Sequence, residues 1–104
     1  INWEWNANDV VSFCKAFDEP FVGASTYLSN KKVYFKNVSL VKTKVKFHPF
    51  QTGIIFRKNN KGYFIAANKG AILVKNIFSN TKIKINLGSR FFTPIIKIKS
   101  FNVE

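Results

Sequence analysis

Few side chains in this sequence have the chemistry for catalysis, and most of its ionisable groups are cations. Cys14 is the only thiol and His48 the only imidazole. One of each cannot complete a structural zinc site, which takes four nitrogen or sulfur ligands. Cys14 falls on the apolar stripe of a helix and reads as a small core residue. His48 precedes Pro49 in a loop-like stretch and reads as a surface or capping group. Asp18 and Glu19 are adjacent, so their side chains diverge, and they do not form the facing pair that acid–base catalysis needs. The five glycines are isolated turn residues without the clustered spacing that cradles phosphate. No metal is expected, and no reaction is expected from these residues alone.

The binding chemistry is cationic. Lys and Arg number 17 against 5 Asp and Glu, for a net charge of +12 at pH 7. The acids are Glu4, Asp9, Asp18, Glu19 and Glu104. Only Lys15 among the basic residues precedes Pro20, so residues 20–103 hold the other 16 and no acid. AT-rich coding inflates Lys, Asn, Ile and Phe and accounts for part of this surplus. It does not account for the missing Asp and Glu. A surface of one sign repels itself and is usually kept for an anionic partner. Three stretches put their lysines on one face by period-two alternation: Lys42, Lys44 and Lys46; Lys82 and Lys84; Lys97 and Lys99. These are the candidate nucleic-acid contacts, and Arg57, Lys58, Lys61, Lys69, Lys75 and Arg90 extend the basic set. Two modes of binding are open. Exposed aromatics between cations would stack single-stranded bases. A basic surface without them would read the phosphates and shape of folded RNA. Most of the 12 Phe fall in apolar phases and are expected in the core, which favours the second mode.

The elements that position these residues are one helix and a series of strands. Asn6 caps a helix expected over roughly residues 7–17, with Asp9 returning toward the cap. Val10, Phe13, Cys14 and Phe17 form its apolar stripe, and Pro20 stops it. Strands are expected at 26–28, 32–42, 53–58, 62–67, 71–78, 82–87 and 95–99, where Val, Ile, Phe, Tyr and Thr concentrate. Tight turns separate them at Ser29-Asn30-Lys31, Asn59-Asn60-Lys61-Gly62, Asn68-Lys69-Gly70 and Ser79-Asn80. A phase slip between Leu40 and Val41 predicts a bulge or bend there. Short strands and tight turns give a mainly β fold, a small OB-like antiparallel barrel preceded by one N-terminal α-helix. A chain of 104 residues with 46% hydrophobic content suits one domain, residues 1–104, with a packed core. A single Cys fits a reducing compartment, and the expected location is cytoplasmic. No apolar run reaches the ~18 residues of a membrane span, and the start at Ile1 reads as a piece of a longer chain.

Two segments resemble a known family. The first runs Ile1-Asn2-Trp3-Glu4-Trp5, then the helix, then Ala16-Phe17-Asp18 and Pro20-Phe21-Val22-Gly23-Ala24-Ser25-Thr26. The second is Gly53-Ile54-Ile55, Gly70-Ala71-Ile72-Leu73-Val74-Lys75-Asn76-Ile77 and Leu87-Gly88-Ser89-Arg90-Phe91-Phe92. In this order they resemble the C-terminal domain of formyltransferases, with its "I-D/N-W" opening, "R-A-F/H-D" helix end and "G-x-L-x-I/V" strand.

The resemblance implies an OB-like barrel that follows an N-terminal Rossmann-type catalytic domain in the same chain. It implies 10-formyltetrahydrofolate as the formyl donor of the parent enzyme and no cofactor in this domain. The family's catalytic residues have no counterparts here, so no catalytic residue is expected. In the methionyl-tRNA formyltransferases the domain helps to hold tRNA, and the first expectation is a basic surface for tRNA. A structural module of a sugar-nucleotide or other small-molecule formyltransferase is the second. A free-standing OB-fold binder of single-stranded nucleic acid is the third.

Overall fold

The computed structural model describes residues 1–18, 21–42 and 47–93. Helix α1, Ala7–Ala16, begins where Asn6 turns the chain inward. Asp9 N–H donates to Asn6 Oδ1 at 3.0 Å, so the cap satisfies one of the free amides of the first turn. Val10 and Cys14 of the expected stripe are fully buried, and Phe13 and Phe17 are half-buried beside them.

The strands are β1 (Ala24–Leu28), β2 (Lys31–Val41), β3 (Ile55–Asn59), β4 (Gly62–Ala67), β5 (Gly70–Phe78) and β6 (Phe91–Phe92), with a 3₁₀ turn at Pro49–Gln51. They form one antiparallel sheet in the order β3-β4-β5-β2-β1-β6. The pairs β1–β2, β3–β4 and β4–β5 are hairpins with two-residue turns. At the β1–β2 turn Ser29 and Asn30 both have positive φ, 49° and 67°, the geometry that matches strand twist in a two-residue hairpin.

The sheet curls until its outer strands meet. Phe91 N–H donates to Gly53 C=O at 2.8 Å, and Ile55 N–H donates to Ser89 C=O at 2.9 Å. The bridge between Ile54 and Arg90 lies between these bonds. Gly53 has φ +87°, and a Cβ there would run into the Phe91 carbonyl oxygen. The close approach of the two edges therefore requires the smallest residue at Gly53. The result is the expected mainly β fold, a curled half-barrel consistent with a small OB-like barrel, with the helix before it.

The core lies inside the curl. Phe35, Phe91, Ile55, Ile65, Ile72, Val33 and Val74 fill it, and α1 covers it with Val10 and Cys14. Trp3 enters from the N-terminal segment, stacked on Phe91 at 6.3 Å and edge-on to Phe35 at 6.1 Å. Its indole Nε1–H donates to Thr26 Oγ1 at 3.0 Å, and Thr26 Oγ1 shares a 2.9 Å hydrogen bond with Thr93 Oγ1. A buried indole N–H and two buried hydroxyls are thus satisfied by one another. Burial of Cys14 pushes its thiol up to about 12, so it is an inert core group.

Three expectations are corrected. Residues 82–87 do not join the ladder. Ile83 and Ile85 still pack half-buried against the core while Lys82 and Lys84 face out, so the alternation is one of burial, without strand pairing. The slip in β2 lies at Asn37 instead of Leu40–Val41: Val33 and Phe35 are buried, Asn37 has φ 57°, and Val38 is the next buried position. The one register shift in the named ladders falls in β3, between Ile55 and Arg57. Finally, among the described Phe residues only Phe35 and Phe91 are fully buried, whereas Phe21, Phe50, Phe56, Phe78 and Phe92 are exposed. Both surfaces of a curled sheet carry apolar residues here, and alternation alone does not tell inside from outside. The expected strand 95–99 lies outside the described residues.

Candidate nucleic-acid interface

Lys42 is exposed at the end of β2. It lines a groove of about 360 Å³ with Asn6 and Asn8 at the start of α1, Leu40 on β2, and Lys69 and Gly70 on the β4–β5 turn. The groove is held in shape by backbone contacts. Ala7 N–H donates to Asn68 C=O at 2.8 Å, and Asn68 Nδ2 donates to Glu4 C=O at 3.2 Å. These bonds seat the positive end of the helix dipole beside two lysines. Lys69 sits at positive φ, 59°, in the turn, and its side chain is exposed.

Lys82 and Lys84 are exposed on the segment that crosses from β5 toward β6. Lys31 Nζ donates to the Lys82 carbonyl at 2.9 Å, which brings a further cation to this edge. Lys44, Lys46, Lys97 and Lys99 lie outside the described residues. The structure thus brings Lys42 to Lys69 and Lys82 to Lys31. Lys31 carried no sequence signal: it closes a hairpin and belongs to no alternating run.

Four other described cations have contacts within the chain. Arg57 lies over the Phe64 ring at 5.4 Å, Lys58 over Tyr63 at 5.2 Å and Lys32 over Tyr34 at 5.6 Å. Arg90 Nε donates to Thr52 C=O at 3.1 Å and helps to fasten the barrel edge.

The residues weighed for catalysis are placed apart from this surface. Cys14 is buried under α1. His48 Nδ1 accepts from Phe50 N–H at 3.2 Å, and His48 N–H donates to Gln51 Oε1 at 2.7 Å. His48 therefore caps the 3₁₀ turn, as its position before Pro49 implies. Asp18 Oδ2 accepts from Asn37 N–H at 3.2 Å, tying the helix end to the irregular point of β2. Among the described residues no three His, Cys, Asp or Glu stand together where they would hold a metal ion.

Sequence reasoning missed the aromatic surfaces. On the flank of α1, Trp5, Phe13, Phe17 and Phe21 follow one another with ring centroids 5.4, 4.9 and 6.3 Å apart. Beside them Phe17, Phe21, Val22, Lys32 and Tyr34 line a groove of about 450 Å³. On the outside of the β3–β4 hairpin Phe47, Phe56 and Phe64 lie side by side, 4.9 and 6.3 Å apart.

Among curated proteins, none matches the chain. The family model for the formyl transferase C-terminal domain matches residues 1–91. The match begins at the Trp3 segment that plugs the core and ends at Phe91, whose N–H joins the two sheet edges. Motif order, barrel and helix agree with that match, and the chain belongs to the formyl transferase C-terminal domain family.

Proposed function

We propose that this chain is the accessory, non-catalytic domain of a cytoplasmic formyltransferase and that its basic surface holds tRNA. Formyl transfer from 10-formyltetrahydrofolate then belongs to a Rossmann-type catalytic domain of the same parent protein. No step on the folate is assigned to this chain.

The observation that supports the tRNA reading is the acid-free stretch. Residues 20–103 carry 16 basic side chains without one acid, and the described part of this stretch makes the strands and turns of the barrel. Lys42 and Lys69 flank a groove at the positive end of α1, a geometry suited to backbone phosphate. The proposed contacts are Lys42, Lys44 and Lys46, then Lys82, Lys84, Lys97 and Lys99.

The test is tRNA affinity across a salt series, for wild type and for a Lys42/Lys44/Lys46→Ala variant. Each true phosphate contact removed lowers the slope of log affinity against log salt by about 0.9. Equal slopes for the two proteins would overturn the assignment of these lysines. The exposed aromatic flank of α1 favours a second reading. In it the domain packs on its catalytic neighbour and shapes a small-molecule acceptor site, and tRNA binding stays near the non-specific level of about 10⁻⁴–10⁻⁶ M.

A further inference from the structure

The outer face of the β3–β4 hairpin carries an unexplained combination of rings and cations. Ile55 of β3 points into the core and is 1% exposed. The register then shifts before Arg57. Strand alternation beside buried Ile55 turns Phe56 outward, 41% exposed, and the bulge re-aims Arg57 to the same side. Its ring lies between Phe47 at 4.9 Å and Phe64 at 6.3 Å. Phe64 pairs across the sheet with Arg57 and Leu73, on the side opposite the buried Ile65. Arg57 covers one end of this row, over the Phe64 ring. Phe50, 77% exposed, stands in the adjoining 3₁₀ turn. Arg57, Lys58 and Lys61 on the same hairpin are all exposed, and no acid occurs between residues 20 and 103.

We propose that this face stacks unpaired bases of an RNA single strand, with Phe56 as the central platform and Arg57 and Lys61 holding the adjacent phosphates. The inference rests on the RNA reading above and adds which part of the RNA is taken. A duplex hides its base faces inside its own stack, so exposed rings are of use only where bases are unpaired. Phosphate attraction alone would need no rings. An apolar protein partner would leave Arg57 and Lys61 without a counter-charge. A strand of RNA satisfies both halves of the surface: its bases cover Phe47, Phe56 and Phe64, and its phosphates meet the cations. The Arg57 guanidinium already lies over an aromatic ring, 5.4 Å from its centroid, a contact that a base face can also offer.

The experiment measures binding of the full-length protein to two labelled RNAs by fluorescence anisotropy. One is an oligouridine of about 12 nucleotides, within the span of a stacking site of this kind. The other is a blunt duplex of equal charge. Wild type, Phe56→Ala and Phe56→Trp are compared at several salt concentrations, and near-UV circular dichroism checks that each variant is folded. The expected result for Phe56→Ala is a loss of about 5- to 100-fold on oligouridine. Duplex affinity and the salt slope should not change, and Phe56→Trp should keep wild-type affinity.

Phe56→Ala binding oligouridine as wild type does, while wild type binds tRNA, overturns the stacking inference and leaves the tRNA reading standing. Equal losses on both RNAs overturn it too, because they mark a general effect on the surface. If wild type binds neither RNA nor tRNA above the non-specific level, the RNA reading itself fails and this inference falls with it. Wild-type RNA binding together with looser packing of the barrel in limited proteolysis of Phe56→Ala marks a protein-docking face and also overturns it.

Discussion

Gly53 and Gly88 make a controlled pair for testing how the barrel is held shut. Their φ angles are nearly equal, +87° and +84°. A Cβ on Gly88 meets nothing within 4 Å, whereas one on Gly53 meets the Phe91 carbonyl oxygen. Gly88→Ala therefore costs only the left-handed backbone penalty, about 1–2 kcal/mol. Gly53→Ala carries the same penalty and in addition forces Phe91 away. That displacement weakens the 2.8 Å bond from Phe91 N–H to Gly53 C=O, worth about 0.5–1.5 kcal/mol. It also disturbs the seat of a core ring that is 1% exposed. The two quantified parts sum to about 1.5–3.5 kcal/mol for Gly53→Ala, so the two variants should differ by at least roughly 0.5–1.5 kcal/mol. For a domain of this size that separates their melting midpoints by about 2–12 °C. Thermal and urea unfolding of both variants measure the gap. Amide exchange locates it: Phe91 and Ile55 should lose protection in Gly53→Ala and keep it in Gly88→Ala. Equal stability of the two variants would refute the claim that contact between the sheet edges requires glycine at position 53.

Two further outcomes follow from the core. Cys14 should resist alkylation in the native chain at pH 8 and react at once in denaturant, as followed by mass spectrometry. Because burial raises its thiol from 9.0 to about 12, folding binds this proton more tightly. The associated stability is complete below pH 9.0 and is lost as pH rises toward about 12, so unfolding midpoints should fall across that window. Trp3→Phe keeps a ring against Phe91 but removes the donor to Thr26 Oγ1. Urea unfolding should show a loss of about 1–3 kcal/mol, and no loss would mean that the Thr26–Thr93 pair is satisfied without the indole.

Much of the framework was legible because its signals are local. Asn6 and the 10, 13, 14, 17 spacing mark the helix within a residue of its observed end. Ser29-Asn30 marks a turn that needs two positive φ angles, which Asn tolerates well. The errors came where tertiary context decides. Lys82 to Ile85 alternates because two isoleucines lie against the core, and burial imposes a period of two with or without a ladder partner. Arg57 could not be assigned to the face of Phe56, since a bulge resets the phase and no residue type announces it. Lys42 was found by alternation, but its neighbour Lys69 comes from a turn elsewhere in the chain, and only folding brings the two to one groove.

The threonine pair beneath Trp3 bears on how the chain acquires its structure. Thr26 and Thr93 are 67 residues apart in sequence, and Trp3 is 23 residues from Thr26. The first segment of the chain therefore waits for almost the last described residue before its buried polar groups are all satisfied. Non-local pairing of this kind places a β domain among the slower folders, on the millisecond-to-second scale. During synthesis the strands emerge and pair one hairpin at a time, but the tryptophan seat is finished only when Thr93 has left the ribosome. A chain stopped short of that residue holds hairpins and an unlocked N-terminal segment, so the cooperative step of folding should appear only once Thr93 has been made.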